Sequence, residues 1–424
     1  MPKVVCLGPG PQFKGGISNY NTSLAKAFDQ RHDTEVHIVS WSQQYPAIVP
    51  REFIDKTSKK DFLEGTDIQV EYILNYNHPS TWRKTAKRIA ALEPDVVVIQ
   101  WYNAQQGLPL SYINKYLKKH SKAKVYFDLH FVVPKENSAV DTWFTKRGLR
   151  SVDRFIAHAY STVDELQGLF PKKDLDVTED GTNTGSGTPV IKLFHPIYDL
   201  FEPEPDFDVA AFKREHDLKE HVFLFFGFIR KYKGLHHAIR AFAELAAKRD
   251  DVSLMICGES FWNTLDASKF STKVKNFLFG LFKSILLKKE DDEKDYRPLE
   301  LIEESGIQDR VLLVNEFIPN EDVPKYFQTA DSIVLFYERA TPSGVESLSY
   351  NFDLPILATE VGHFPETVTN GFNGYLAHPG DIQDMARVME KSITEPIDKV
   401  NVARSAEHMS WERYVKAILT NSRS

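Results

Sequence analysis

Phe225-Phe226-Gly227-Phe228-Ile229-Arg230-Lys231-Tyr232-Lys233-Gly234 closes an apolar run that begins at Val222 and opens an amphipathic stretch that continues to Lys248. Strand, glycine, cations and helix follow one another in the order in which a parallel βα unit presents a loop at the carboxyl end of its strand. Arg230, Lys231 and Lys233 suit that loop to a diphosphate. Arg230 and Lys233 are candidate catalytic residues, because a fixed cation there neutralises charge that grows on a leaving β-phosphate. The alternative is a solvated basic loop.

The same alternation extends in both directions. After this unit come the strands Ser253 to Cys257, Val311 to Val314, Ser332 to Leu335 and Ile356 to Ala358. Before it come Val4 to Leu7, Glu35 to Val39, Val96 to Ile99, Val125 to Leu129, Phe155 to Ala157 and Val190 to Phe194. Between these strands lie helices with Ile17, Tyr20, Leu24 and Phe28 on one face, around Trp82 to Leu92, and with Tyr112, Tyr116 and Leu117 on one face. Strands apolar on both faces, alternating with helices, predict parallel sheets covered on each side and an α/β chain of doubly wound domains. With 424 residues, more than one core is expected. Phe201-Glu202-Pro203-Glu204-Pro205 marks the linker, so the expected division is 1–200, 201–395 and a pair of C-terminal helices at 396–424, with Trp411 and Tyr414 as anchors back to the first domain. Residues 178–188 read as a mobile polar loop, and 260–295 as an insertion.

Apolar residues make up 42% and charged residues 26% of the chain, which excludes wholesale disorder, and a net charge of −7 lacks the basic excess of a nucleic-acid binder. The only cysteines, Cys6 and Cys257, sit inside apolar runs and fit a reducing, cytoplasmic compartment. No apolar run reaches the roughly 18 residues that span a bilayer. Within the insertion, residues 274–289 form an amphipathic stretch that either caps the core or makes a peripheral membrane contact.

Further residues point to chemistry. Gly15 and Gly16 precede the first helix, where bare backbone and helix N–H groups either bind an anion or form a plain turn. His130 follows an apolar strand, at the edge where a parallel sheet meets its ligands, and is either a sugar contact or a structural histidine; His158 and His195 follow apolar runs in the same way. Glu338 and Glu346 flank Ser343-Gly344-Val345 at a turn-to-helix junction. There Glu338 can face a sugar, the N–H groups near Ser343, Gly344 and Val345 a diphosphate, and Glu346 a ribose diol, or else Glu346 completes a capping box with Ser343. Asp174-Leu175-Asp176 and Asp206-Phe207-Asp208 read as structural rather than metal-binding, with Asp208 placed to cap a helix, and no cysteine–histidine cluster suggests a transition metal; the expected metal content is none.

Taken in order, Gly15-Gly16-Ile17, His130, Gly227 to Gly234, Glu338 to Glu346, and Val361-Gly362-His363-Phe364-Pro365-Glu366 with Asn373-Gly374 make the chain resemble, over nearly its whole length, the family 4 glycosyltransferases of GT-B fold. The resemblance implies two Rossmann-like domains across a cleft, and a retaining transfer of a hexose from UDP or GDP to a saccharide or lipid-linked acceptor, with no cofactor, metal or covalent nucleophile. It implies that Arg230 and Lys233 bind the donor diphosphate, Glu338 the sugar hydroxyls and Glu346 the ribose, while His130 lies near the reacting carbon. Two departures stand out: Phe228 occupies the position where many members place the phosphate-loop arginine, and the 260–295 insertion is unusual. The alternatives are a nucleotide-sugar epimerase on the same fold and a non-catalytic nucleotide-sugar binding module.

Overall fold

The computed structural model describes residues 1–46, 53–133, 139–183, 185–260, 296–342 and 344–423. Ser343 and the amphipathic stretch 274–289 therefore lie outside the described residues.

Eight parallel strands form the first sheet: β1 (Lys3–Leu7), β2 (Glu35–Gln43), β3 (Gln69–Asn75), β4 (Val96–Trp101), β5 (Lys124–Leu129), β6 (Phe155–Ala157), β7 (Leu175–Thr178) and β8 (Thr188–Lys192). Their order is β3-β2-β1-β4-β5-β6-β8-β7. The second sheet is β9 (His221–Phe226), β10 (Val252–Cys257), β11 (Val311–Val314), β12 (Ser332–Leu335), β13 (Ile356–Thr359) and β14 (Gly374–Ala377), in the order β11-β10-β9-β12-β13-β14 and also parallel. Both sheets contain the doubly wound order in which the chain reverses direction beside the first strand of the domain, and loops at that reversal open a crevice at the strand carboxyl ends.

The period of two along β1 sends Val4 and Cys6 to one side and Val5 and Leu7 to the other, all fully buried. Val4 and Cys6 join Tyr20, Leu24 and Phe28 of the helix Gly16–Asp29, while Val5 and Leu7 join Ile89, Ile113 and Leu117. In the second sheet Leu224 and Met255 face the interdomain side, whereas Phe223 and Phe225 pack on Leu235, Ile239 and Phe242 of the helix Leu235–Ala246. Each such side chain contributes about 1.5–3 kcal/mol on burial, so both faces must be covered for the sheets to persist. On the helix Gly107–His120 the buried stripe is Leu110, Ile113 and Leu117; Tyr112 is exposed, which corrects the apolar face expected there.

The linker and C-terminus tie the domains together. Asp208 accepts from the Ala211 N–H and caps the helix Val209–Glu215. The helix Trp411–Arg423 returns to the first domain: Trp411 Nε1 donates to the Ile197 carbonyl at 2.8 Å, and Tyr126 hydroxyl donates to Asn421 Oδ1 at 2.7 Å. The 178–188 segment is anchored to this helix, Asn421 bonding to Gly181 O and to Asn183.

Across the cleft, Glu366 of the second domain accepts from the N–H groups of Tyr160 and Ser161 at 2.9 and 3.0 Å. These begin the first-domain helix Tyr160–Leu169, whose own N-cap residue, Ala159, offers no side-chain acceptor. A carboxylate at a helix start satisfies orphan donors and complements the helix dipole. Glu366→Ala is therefore expected to cost about 1 kcal/mol and to accelerate hydrogen exchange at Tyr160 and Ser161; unchanged exchange at those amides would rule out the cap.

Candidate active site

The loops after β9 and β12 emerge side by side because those strands are neighbours at the reversal of the second sheet. Gly234 turns the first loop into its helix with φ +65°, and a Cβ there would lie 1.9 Å from the Phe336 carbonyl oxygen, so only glycine lets the two loops touch. This contact lays Lys233 along the second loop. Its Nζ is 3.1 Å from where a Cβ on Gly227 would stand, and Val345 Cγ2 is 3.4 Å from the same point. Lys233 is 9% exposed. Arg230 points its guanidinium over the Tyr232 ring, 5.4 Å from the centroid, and the Glu338 N–H donates to the Tyr232 carbonyl at 2.8 Å. Lys233, Arg230, Glu338 and the start of the helix Gly344–Asn351 thus belong to one neighbourhood of the second domain.

Sequence reading missed two members of this neighbourhood. His236 and His237 open the helix after Gly234, and their Nε2 atoms lie 3.3 and 3.4 Å from the same Glu338 oxygen, Oε1. His236 Nδ1 is 2.9 Å from the Tyr296 hydroxyl. Adjacent histidines directly after the phosphate-type loop were the available signal. Burial, reinforced by His237, Arg240 and Lys231, lowers the His236 pKa to about 4, because Glu338 at the long edge of hydrogen-bond range does not offset desolvation. Between the ordinary value of 6.5 and about 4 the unfolded chain binds the proton that folded His236 refuses, so stability falls as pH falls through that window. His236→Gln is expected to flatten that acid limb, whose slope from one group is at most about 1.4 kcal/mol per pH unit. Urea denaturation at several pH values measures it, and an unchanged limb would place the proton linkage elsewhere.

The first-domain loop reaches this neighbourhood through Gly15 and Gly16. A Cβ on Gly15 would stand 3.5 Å from the Phe228 ring, and the Tyr198 hydroxyl donates to the Gly16 carbonyl at 2.6 Å. Tyr198 also closes on the second domain, since a Cβ on Gly344 would stand 2.4 Å from its ring. The starts of the helices Gly16–Asp29 and Gly344–Asn351 therefore meet across one tyrosine. Glu346, in the first turn of the latter helix, is 3% exposed. Its Oε2 hydrogen bonds to His363 Nε2, and its Oε1 has no hydrogen-bond partner among the described residues. The carboxylate read as a ribose ligand thus lies inside the interface, with one acceptor oxygen left over.

His130 is 5% exposed, its Nε2 2.7 Å from Gln100 Oε1, and burial lowers its pKa to about 3. It is joined by two histidines from neighbouring strand ends. His158, after β6, lies 2.7 Å from Asp128 Oδ1, and His195, after β8, places Nδ1 2.6 Å from Ser347 Oγ. Tyr20 donates to Asp128 at 2.9 Å. The three histidines are far apart in sequence and converge because β5, β6 and β8 are adjacent. A void of about 10 Å³ borders His158, His195, Glu346 and His363, while a concavity of about 490 Å³ lies apart on the linker, between Lys60 and Asp208.

Two doubly wound domains with glycine turns, cations and helix starts converging at their strand ends define the GT-B fold. Residues 206–409 match the family described as "Glycosyl transferases group 1", and the second domain is a domain of that group. Among curated proteins, the chain is 24% identical over 174 residues to the 2-deoxystreptamine glucosyltransferase of Streptomyces kanamyceticus, covering 41% of this chain and 36% of that protein. It is 32% identical over 101 residues to the D-inositol 3-phosphate glycosyltransferase of Thermobifida fusca (strain YX), covering 20% of this chain and 23% of that one. The chain thus spans well under half the length of either relative. Similar solved structures include Anabaena HepE in complex with UDP and glucose, at 16% identity and a TM-score of 0.63, covering 100% of this chain and 98% of that one. A UDP-forming trehalose-phosphate synthase from Burkholderia xenovorans, in complex with glucose-6-phosphate, shares 13% identity with a TM-score of 0.62, covering 99% and 97%. At these identities the likeness is one of fold.

Proposed function

We propose that this chain is a retaining glycosyltransferase that moves a hexose from a nucleoside diphosphate, UDP foremost, to a hydroxyl of a saccharide or lipid-linked acceptor. The observation that carries the reading is the packing of Lys233 and Val345 around Gly227, beside the loop that carries Glu338, inside a group 1 glycosyl transferase domain. The UDP complexes of structures that share the fold support the choice of base. In the reaction the bond between the anomeric carbon and the β-phosphate oxygen breaks and an acceptor oxygen bonds to that carbon on the same face. The acceptor proton passes to the departing phosphate oxygen. Lys233 and Arg230 offset the charge that accumulates on that oxygen, aided by the N–H groups of Gly344 and Val345 at the helix start. Glu338 accepts from donor-sugar hydroxyls, and the first domain presents the acceptor to the cleft.

The test is a thermal-shift panel of UDP, GDP, ADP and their hexose conjugates, followed by an acceptor screen with the nucleotide that shifts. A selective shift by UDP and UDP-hexose, with UDP release dependent on acceptor, is expected. Donor conversion to an epimer without acceptor, or no shift by any nucleotide, overturns the reading.

A further inference from the structure

We propose that His130, His158 and His195 form a metal site for a borderline divalent cation, zinc foremost, each giving one ring nitrogen. One nitrogen of each ring lies within 4.8 Å of one from each of the others. The ring centroids are 5.2 Å apart for His130 and His158, 5.1 Å for His158 and His195, and 6.2 Å for His130 and His195. Two imidazoles bound at ~2 Å with a near-tetrahedral angle place their ring centres ~5 Å apart, so the spacing of two pairs matches and the third must close by about 1 Å.

The hydrogen bonds around the rings are compatible with one bare nitrogen on each. Asp128 carboxylate only accepts, so the His158 nitrogen facing it, Nε2, carries the proton and Nδ1 is a bare lone pair. His195 Nδ1 lies 3.0 Å from the Pro196 carbonyl and 2.6 Å from Ser347 Oγ; with its proton shared between these two acceptors, Nε2 is the lone pair offered to a metal. His130 Nε2 faces Gln100 Oε1 in the same manner. The Nδ1 atoms of His130 and His158 are buried with no hydrogen-bond partner among the described residues. Metal-binding histidines carry this outer shell, in which a carboxylate or carbonyl holds one N–H and aims the other nitrogen at the ion.

Charge and shape agree. Among the described residues, the groups hydrogen-bonded to the three rings are Asp128, Tyr20, Tyr414, Gln100, Ser347 and the Pro196 carbonyl, which together supply one buried negative charge and no positive one. A cation among the rings compensates Asp128, which is fully buried. Tyr20 covers one side, its ring 4.7, 5.5 and 4.9 Å from those of His130, His158 and His195. Beside His158 and His195, the void of about 10 Å³ is about the volume one water needs as a fourth ligand. Imidazole donors favour zinc, copper, nickel and cobalt over magnesium or calcium. The site belongs to strand ends of the first domain, so it does not replace Lys233 or Arg230 at the donor phosphates, and the proposal does not rest on the transferase reading.

The test uses the full chain, stripped with chelator and then titrated with Zn²⁺ and, separately, Co²⁺. Expected are one bound equivalent by elemental analysis, a rise in Tm of several degrees, and the intense visible absorption of tetrahedrally coordinated Co²⁺. His158→Gln and His195→Gln are expected to weaken zinc binding at least 100-fold, and Asp128→Asn, which alters only the outer shell, about 10- to 100-fold. His378→Gln, at an exposed histidine paired with Asp384, should leave affinity unchanged. Absence of stoichiometric binding or of the Co²⁺ bands in the unaltered protein overturns the site without any variant. So does wild-type affinity in a folded His158→Gln/His195→Gln protein. Nucleotide thermal shifts on the stripped protein separate failure of this site from failure of the donor site.

Discussion

Lys233→Ala is expected to lower kcat/KM for hexose transfer by about 10²- to 10³-fold, mainly through kcat. Lys233 lies in a nearly buried position bounded by Gly227, Val345 and the loop that carries Glu338. A cation held there is preorganised and stands in a medium less polar than water, where its field on a departing phosphate is stronger than that of a surface lysine. Its charge is needed most when the anomeric bond is nearly broken, so the loss should fall on the transition state more than on donor binding. Lys233→Met keeps most of the stem and separates packing from charge: both variants should lose activity alike while Met retains more of the thermal stability. Steady-state kinetics at saturating donor, together with Tm, measure this. Full turnover in either variant would remove Lys233 from the site.

This loop was readable in the sequence because its strand, glycine, cations and helix are contiguous, so local order already carries the spatial arrangement. Centre strands were readable for the same reason; runs such as Val96 to Ile99 are buried on both faces and uniformly apolar. The strands that pattern reading missed, β3, β7 and β14, are all edge strands. With one flank unpaired, Gln69–Asn75 and Leu175–Thr178 mix polar and apolar residues, and burial along them is partial. On the helix with Tyr112, Leu117 is buried as expected, but Ile113 rather than Tyr112 completes the buried stripe.

Residues joined by topology were a different matter. His130, His158 and His195 were each visible as a histidine after an apolar run, but their convergence depends on β5, β6 and β8 being neighbours, and β6 is only three residues long. The pairing of Glu338 with His236 and His237 likewise depends on β9 lying beside β12. Glu346 shows the limit from another side. Its place in the first turn follows from the sequence, but burial against His363 follows from Gly362, which turns the chain after β13.

Gly362→Ala is accordingly expected to disable the site well beyond its effect on stability. Gly362 has φ +58°, and a Cβ there would stand 2.1 Å from the Ala340 carbonyl oxygen. The left-handed backbone alone costs alanine roughly 1–2 kcal/mol. Ala340, however, lies in the loop between Glu338 and the helix start at Gly344, so relieving the clash moves the backbone that positions both, and moves His363 away from Glu346. A displacement of about 1 Å at such groups can cost 10²-fold in rate. The expected result is a loss of about 10²-fold or more in kcat/KM with a Tm lowered by only a few degrees. Gly371→Ala provides the comparison: Gly371 has φ +75° and nothing within 4 Å of its Cβ position. It should show a similar backbone penalty and nearly unchanged activity. If both variants lost activity in parallel, strain and general destabilisation would explain Gly362; only a loss specific to Gly362→Ala assigns its effect to the contact with Ala340.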